Sequence, residues 1–340
     1  MASFPGSVTP GNGTLVDLSD FWTAARANLL NDELIAVEMA GLRMHFGDGS
    51  DGAVDMDGVN TFAAFATLSE STYTLIRDIY PSALTVRAGV TLKTSGFKVF
   101  CAGIVTIEAT GAISNSGEDG SNASGTTGGT AGASGGGGST KTPPAAKDGA
   151  NGYDAGSTGA SEPISAGGLN GLNGGIGGAF PGGFGGTATA LPVADGGIRN
   201  LTTLALWRAF SASAVVSFGY HAGNGGAGAG NADEGSPGAG GGGGGNGGYL
   251  VIFAPVISND GSIQAIGGDG GNGSNATGDG SGGGGGTGGN GGLIAIACLV
   301  YSGNTPVVAG GTGGDGGTGG PSGQSGLTGY DGLVIELKPA

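Results

Sequence analysis

Between residues 310 and 321 the chain reads Gly-Gly-Thr, Gly-Gly-Asp, Gly-Gly-Thr, Gly-Gly-Pro, and between 267 and 272 Gly-Gly-Asp, Gly-Gly-Asn, continuing as Gly273-Ser274-Asn275. Two glycines followed by one residue with a side chain, kept in register, constrain the fold more than any other feature. A tract without side chains builds no core, and glycine loses more conformational freedom on folding than other residues, so the ordinary outcome is a flexible linker. A period of three, however, is that of the extended threefold helix, in which glycine lets chains lie side by side and each third residue lines an edge. A linker has no reason to hold that register. With 85 glycines but only 13 prolines in 340 residues, and no sustained Gly-X-Y run, collagen is a poor match. The expectation is ordered polyglycine-II-type helices.

The glycine blocks alternate with short apolar runs that resemble one another. Gly96-Phe97-Lys98-Val99-Phe100-Cys101-Ala102 aligns with Gly248-Tyr249-Leu250-Val251-Ile252-Phe253-Ala254 and with Gly292-Leu293-Ile294-Ala295-Ile296-Ala297-Cys298. Second strands follow: Val105-Thr106-Ile107 beside Val256-Ile257-Ser258, then Ala112-Ile113 beside Ser262-Ile263, and Val300-Tyr301 in the third copy. Gly332-Leu333-Val334-Ile335-Glu336-Leu337 is a fourth, truncated copy. Upstream, Tyr73 to Tyr80, Leu84-Thr85-Val86 and Val90-Thr91-Leu92 alternate as strands do. The fold class expected is mainly β: β-solenoid-like or β-sandwich strand repeats with the glycine blocks as insertions. Units that bury their apolar faces by stacking place insertions on one side, where the glycine helices can pack.

Three regions are expected. Residues 1–45 form a helical attachment or capping segment, because Leu18, Trp22, Ala25 and Leu29 recur at helical spacing, with Leu30, Leu34 and Val37 on an adjacent stripe. Trp22, Leu29, Leu30 and Leu34 are its attachment or oligomerisation candidates. Residues 46–116 form a β-rich module, and 117–340 a glycine-rich domain with strand repeats near 198–220, 249–266, 293–308 and 333–337. In the block 117–197 the third residues include Leu169, Leu172, Ile176 and Ala179, which suits an internal position. In the later blocks they are Asp269, Asn272, Asn275, Thr312, Asp315 and Thr318, which suits an exposed recognition surface.

Charge and motifs narrow the chemistry. The net charge is −15, and no lysine or arginine occurs between Arg208 and Lys338, which disfavours nucleic acid and anionic membranes. No apolar run reaches the roughly 18 residues of a membrane span, and the start shows no secretory signal pattern. His45 and His221 stand apart without metal-ligand spacing, so neither metal nor cofactor is expected. The acidic turn Phe46 to Gly52 lacks the spacing and closing glutamate of a calcium loop. Cys101 and Cys298 sit in apolar runs and are expected as buried thiols. Gly138-Ser139-Thr140-Lys141 lacks the glycine before the lysine that a phosphate loop needs. Glycoside hydrolysis would need paired carboxylates on adjacent coils; Glu108 on a strand and Asp260 on the matching turn are the candidates, and the charge-poor strands argue against them. A non-enzymatic protein is expected.

The run Gly47-Asp48-Gly49-Ser50-Asp51-Gly52, Leu75-Ile76-Arg77-Asp78-Ile79-Tyr80, Leu84-Thr85-Val86, Gly89-Val90-Thr91-Leu92, Gly96 to Phe100 and Ile113-Ser114-Asn115 resembles the β-rich module preceding glycine-rich tracts in tail-fibre and other virion proteins of tailed bacteriophages. The tracts are similar to the polyglycine helices of phage tail-tip adhesins. The resemblance implies a virion component of the tail fibre or tail tip that contacts a host cell-surface glycan or protein, joins other virion proteins, and assembles as a homotrimer. A capsid or tail decoration protein without receptor binding is the structural alternative. An ice-binding protein is a third, since flat polyglycine faces order water, although mixed Asp, Asn and Thr edges are less regular than that role needs.

Overall fold

The structure, a computed structural model, describes residues 46–140, 145–146, 148–149, 151, 153–154, 230–231, 236–278, 280–320 and 322–337. The expected N-terminal helix with Trp22, Leu29, Leu30 and Leu34 lies outside these residues, as do Leu169, Leu172, Ile176 and Ala179 and the run 198–220. The described elements are all strands, as a mainly β chain requires. In chain order they are β1 (Ala53–Met56), β2 (Ala66–Ser69), β3 (Thr72–Leu75), β4 (Ala83–Val86), β5 (Thr91–Lys93) and β6 (Val99–Phe100). Next come β7 (Ile104–Ile107), β8 (Ala112–Ser114), β9 (Tyr153–Asp154), β10 (Gly230–Asn231) and β11 (Tyr249–Phe253). Finally there are β12 (Val256–Asn259), β13 (Ser262–Gln264), β14 (Leu293–Ala297), β15 (Val300–Gly303) and β16 (Leu333–Leu337).

Strands from successive passes of the chain join three larger sheets, ordered β1-β4-β7-β12-β15, β16-β14-β11-β6 and β13-β8-β5-β3-β2, while β9 pairs with β10. Pairing is parallel except between β2 and β3, so the antiparallel ladders of a β-sandwich are confined to one place. The sheets also cross the expected boundary at 116/117, since β6, β7 and β8 pair with β11, β12 and β13. Residues 46–116 therefore share their sheets with later strands, and the described residues from Phe46 onward form one compact unit.

Register follows the apolar pattern. Leu84, Val105, Ile257 and Tyr301 stand in one row, and Tyr73, Leu92, Ile113 and Ile263 in another. Apart from the partly buried Tyr301, these side chains are fully buried and form the core with Val99, Leu250, Ile252, Ile294 and Ile296. Cys101 and Cys298 are buried free thiols, as expected. Strands β11 and β14 are buried on nearly every residue, which matches their unbroken apolar sequences. The alignment of the later copies holds, with Tyr249 opposite Leu293 and Leu293 opposite Leu333. The first copy is offset by one residue: Val99 faces Ile252 rather than Val251, and Val105 faces Ile257 rather than Val256. In Phe97-Lys98-Val99-Phe100-Cys101 apolar residues occupy both alternating sets, so the sequence pattern does not say which set points inward. The chain enters that strand through Gly96 at φ 83°, against the backbone of Gly136 and Gly137, where a side chain has no room.

Two glycine insertions leave after β8 and β13 and return into β11 and β14, and the last returns into β16. Apart from the short β9–β10 pair, their described segments form no named strand but stack in two tiers. A first tier comprises 115–125, 265–277 and 309–320, and a second comprises 127–137, 236–248, 280–292 and 322–332. Within the first tier every third N–H donates to the next segment: Gly117 to Ile266, Gly120 to Asp269, Gly267 to Ala309, Gly270 to Thr312. The second tier repeats this with Gly241 to Gly284, Gly244 to Thr287 and Gly288 to Leu327. Neighbours within a tier run parallel. Between tiers they run antiparallel, with Gly271 N–H on Gly242, Gly286 on Gly271 and Gly314 on Gly286. A Cβ at Gly286 would come closer than 3.0 Å to the Gly242 carbonyl, and one at Gly289 likewise to Gly245. Glycine here is a matter of space.

Gly286→Ala therefore introduces a clash with rigid backbone, and a loss of about 1–3 kcal/mol is expected, as for overpacking of a tight core. Thermal unfolding checks this: a clear fall in Tm is expected, and an unchanged Tm would contradict close packing.

Candidate functional site

The side chains that interrupt the glycine pairs decide what the tiers present. Along 267–275 and 310–318 exposure repeats every three residues, with Asp269, Asn272 and Asn275 and then Thr312, Asp315 and Thr318 exposed. All these candidates lie on one face, because their two segments are adjacent and in register. Asp119 and Asn122, from the first insertion, join the same face and are also exposed. Sequence reading missed these two residues. The signal was present in Gly117-Glu118-Asp119, Gly120-Ser121-Asn122, which repeats the later triplets 150 residues earlier.

The acidic and amide side chains act as struts. Asp119 Oδ1 accepts the Asp269 N–H at 2.8 Å, and Asn122 Oδ1 the Asn272 N–H at 2.7 Å. Asp269, Asn272 and Asn275 in turn accept the N–H groups of Thr312, Asp315 and Thr318 at 2.6, 2.7 and 2.8 Å. Each side chain thus bridges to the next segment, which satisfies a backbone donor and fixes its own rotamer. One oxygen of each is occupied by the lattice. Among the described residues no hydrogen bond engages the second carboxylate oxygens, the asparagine NH₂ groups or the threonine hydroxyls of these exposed residues. A buried counterpart runs through the second tier, where Asn246 Oδ1 accepts the Asn290 N–H at 2.9 Å and Asn290 Oδ1 the Tyr330 N–H at 2.8 Å.

Other polar groups singled out by sequence are engaged structurally. Asp51 pairs with Arg77 at 2.5 Å and accepts the Tyr80 N–H at 2.7 Å, so the acidic turn is tied to its own strands. Burial pushes the Asp51 carboxyl up, but the Arg77 guanidinium and the Tyr80 N–H outweigh it and hold the group below its ordinary 3.8. Asp48 caps its own turn by accepting the Ser50 N–H at 3.0 Å. Glu108 binds Arg87 at 2.7 Å, and Arg87 also binds Asp55 at 2.8 Å. The Ala88 N–H and then Arg87 keep Glu108 more acidic than usual, the opposite of a general acid that must hold its proton. Glu108 is thus engaged in an ion-pair network with Arg87 and Asp55. Ser139 Oγ donates to Asp78, tying down the turn that superficially resembled a phosphate loop. Among the described residues no cluster of His, Cys, Asp or Glu is placed to hold a metal, and no helix is long and apolar enough to cross a membrane.

The chain matches no protein-family profile, no curated protein and no solved structure.

Two outcomes follow from these contacts. Asn272→Ala leaves the Asp315 N–H without its acceptor and is expected to cost about 0.5–1.5 kcal/mol in chemical denaturation, whereas Thr312→Ala is expected to be near neutral. Because the Asp51 pKa is lowered on folding, its contribution is present above the unfolded value of 3.8 and is lost as pH falls through the lower folded value. Stability of the native protein between about pH 5 and pH 2 should therefore fall more steeply than that of Asp51→Asn, and parallel curves would refute the assignment.

Proposed function

We propose that the protein is a non-enzymatic structural and receptor-binding component of a phage virion, at the tail fibre or tail tip, whose strand frame is a β-solenoid and whose tiers are polyglycine-II-type helices. The observation carrying this reading is the exposed face on which Asp119, Asn122, Asp269, Asn272, Asn275, Thr312, Asp315 and Thr318, distant in sequence, are brought together by hydrogen bonds to the backbone. Rigid display of short polar groups binds with little loss of conformational entropy. None of these eight residues is basic, so the target contact rests on hydrogen bonds to neutral groups of a cell-surface glycan or protein. Assembly as a homotrimer with other virion proteins belongs to the same reading.

A decoration protein without a receptor would share this fold, and labelling its position on the particle separates the two, since a distal tip favours adhesion. The regular spacing also suits an ordered-water face, so thermal hysteresis is the assay that would favour ice binding instead.

Thr312→Val and Thr318→Val remove hydroxyls that the lattice does not use, so Tm should hold while adsorption to host cells falls several-fold, about twofold to tenfold per lost bond. Purified protein that neither binds host cells nor competes with virus for adsorption would overturn the receptor reading.

A further inference from the structure

The lattice stops in mid-pattern at its last pass. In the first tier Gly117 and Gly120 donate to 265–277, and Gly267, Gly270 and Gly273 donate to 309–320. The donors in the same phase on 309–320 are Gly310, whose N–H is capped by Asp331 Oδ1 at 3.1 Å, then Gly313 and Gly316, whose N–H groups meet no acceptor among the described residues. Between tiers, Gly268 and Gly271 donate to the carbonyls of Gly245 and Gly242, and Gly311 and Gly314 to those of Gly289 and Gly286. The equivalent carbonyls one segment on belong to Gly329 and Gly326, and no described N–H reaches them. Asp315 occupies the strut position of Asn272, and among the described residues its carboxylate bridges to no following segment. The strip between 309–320 and 322–332 therefore offers donors at Gly313 and Gly316, acceptors at Gly326 and Gly329, and the Asp315 carboxylate.

We propose that this strip is an interaction surface that accepts one extended glycine-rich segment of another polypeptide chain, laid parallel to 309–320. Three features select that occupant. A peptide backbone alone supplies both a carbonyl and an N–H every few residues along its length, as the strip demands; an anion accepts but does not donate, and the chain's net charge of −15 repels it. The same contact is made twice inside the chain, from 115–125 to 265–277 and from there to 309–320, so the surface continues an interface already built. Close packing selects glycine, since a Cβ at Gly311 or Gly314 would meet the neighbouring backbone at less than 3.0 Å. The mode is strand addition at an open edge, transposed from a β-sheet to a glycine lattice. It does not depend on the receptor reading.

The test titrates the full-length protein into a fluorescent peptide copying residues 309–320, followed by anisotropy. Saturable binding is expected, weakened about fivefold by Asp315→Ala at unchanged Tm, and lost for a peptide with alanine in place of one glycine of each pair. Absence of peptide binding, equal binding of the alanine peptide, or binding of a sulfated oligosaccharide in place of the peptide would each overturn the proposal.

Discussion

The described glycine tiers depend on one contact, the N–H to carbonyl bond made at each third residue between neighbouring extended segments. Gly241 to Gly284, Gly286 to Gly271 and Gly314 to Gly286 are instances of the same bond repeated in two directions. Such a bond contributes little net stability by itself, and glycine is the residue whose ordering costs the most entropy. The lattice therefore needs its ends fixed before it can form. The strand frame does this by holding β13 beside β8, and β11, β14 and β16 side by side in one register, so consecutive insertions start and finish one strand apart. Packing density then enforces composition, since at Gly286, Gly289 and Gly314 the space for a side chain is taken by a carbonyl.

How much of this could be read from the sequence varies with the physical code. The threefold register of 267–275 and 310–321 announced the side-chain spacing, and the exposed positions followed from it, because a period of three leaves one residue per turn on a given edge. The later strand copies were also legible, since Tyr249, Leu293 and Leu333 each follow a glycine and pair as aligned. The first copy was not, because Phe97 to Cys101 is apolar on both alternating sets and only the observed pairing of Val99 with Ile252 resolves the parity. The supposed boundary at 116/117 reflected a change of composition, whereas the sheets run straight through it.

The side chains on the open face illustrate a second limit. Their exposure was predictable, but their work inside the lattice was not: nothing in the sequence near Asp269 indicates that its carboxylate holds the amide of Thr312, 43 residues away. Asp and Asn fill these third positions where another described segment follows, and threonine becomes frequent on 309–320, beyond which none is described. That distribution separates groups that hold the lattice from Thr312, Asp315 and Thr318, the face residues whose side chains bridge to no further described segment.

The most direct test of an ordered glycine lattice is amide hydrogen exchange in the native protein, resolved at Gly241, Gly244, Gly286 and Gly289. The bonding pattern predicts protection comparable to that of β11 and β14, with which these segments are continuous. Exchange at the rate of an unstructured chain would mean that the tracts are linkers after all.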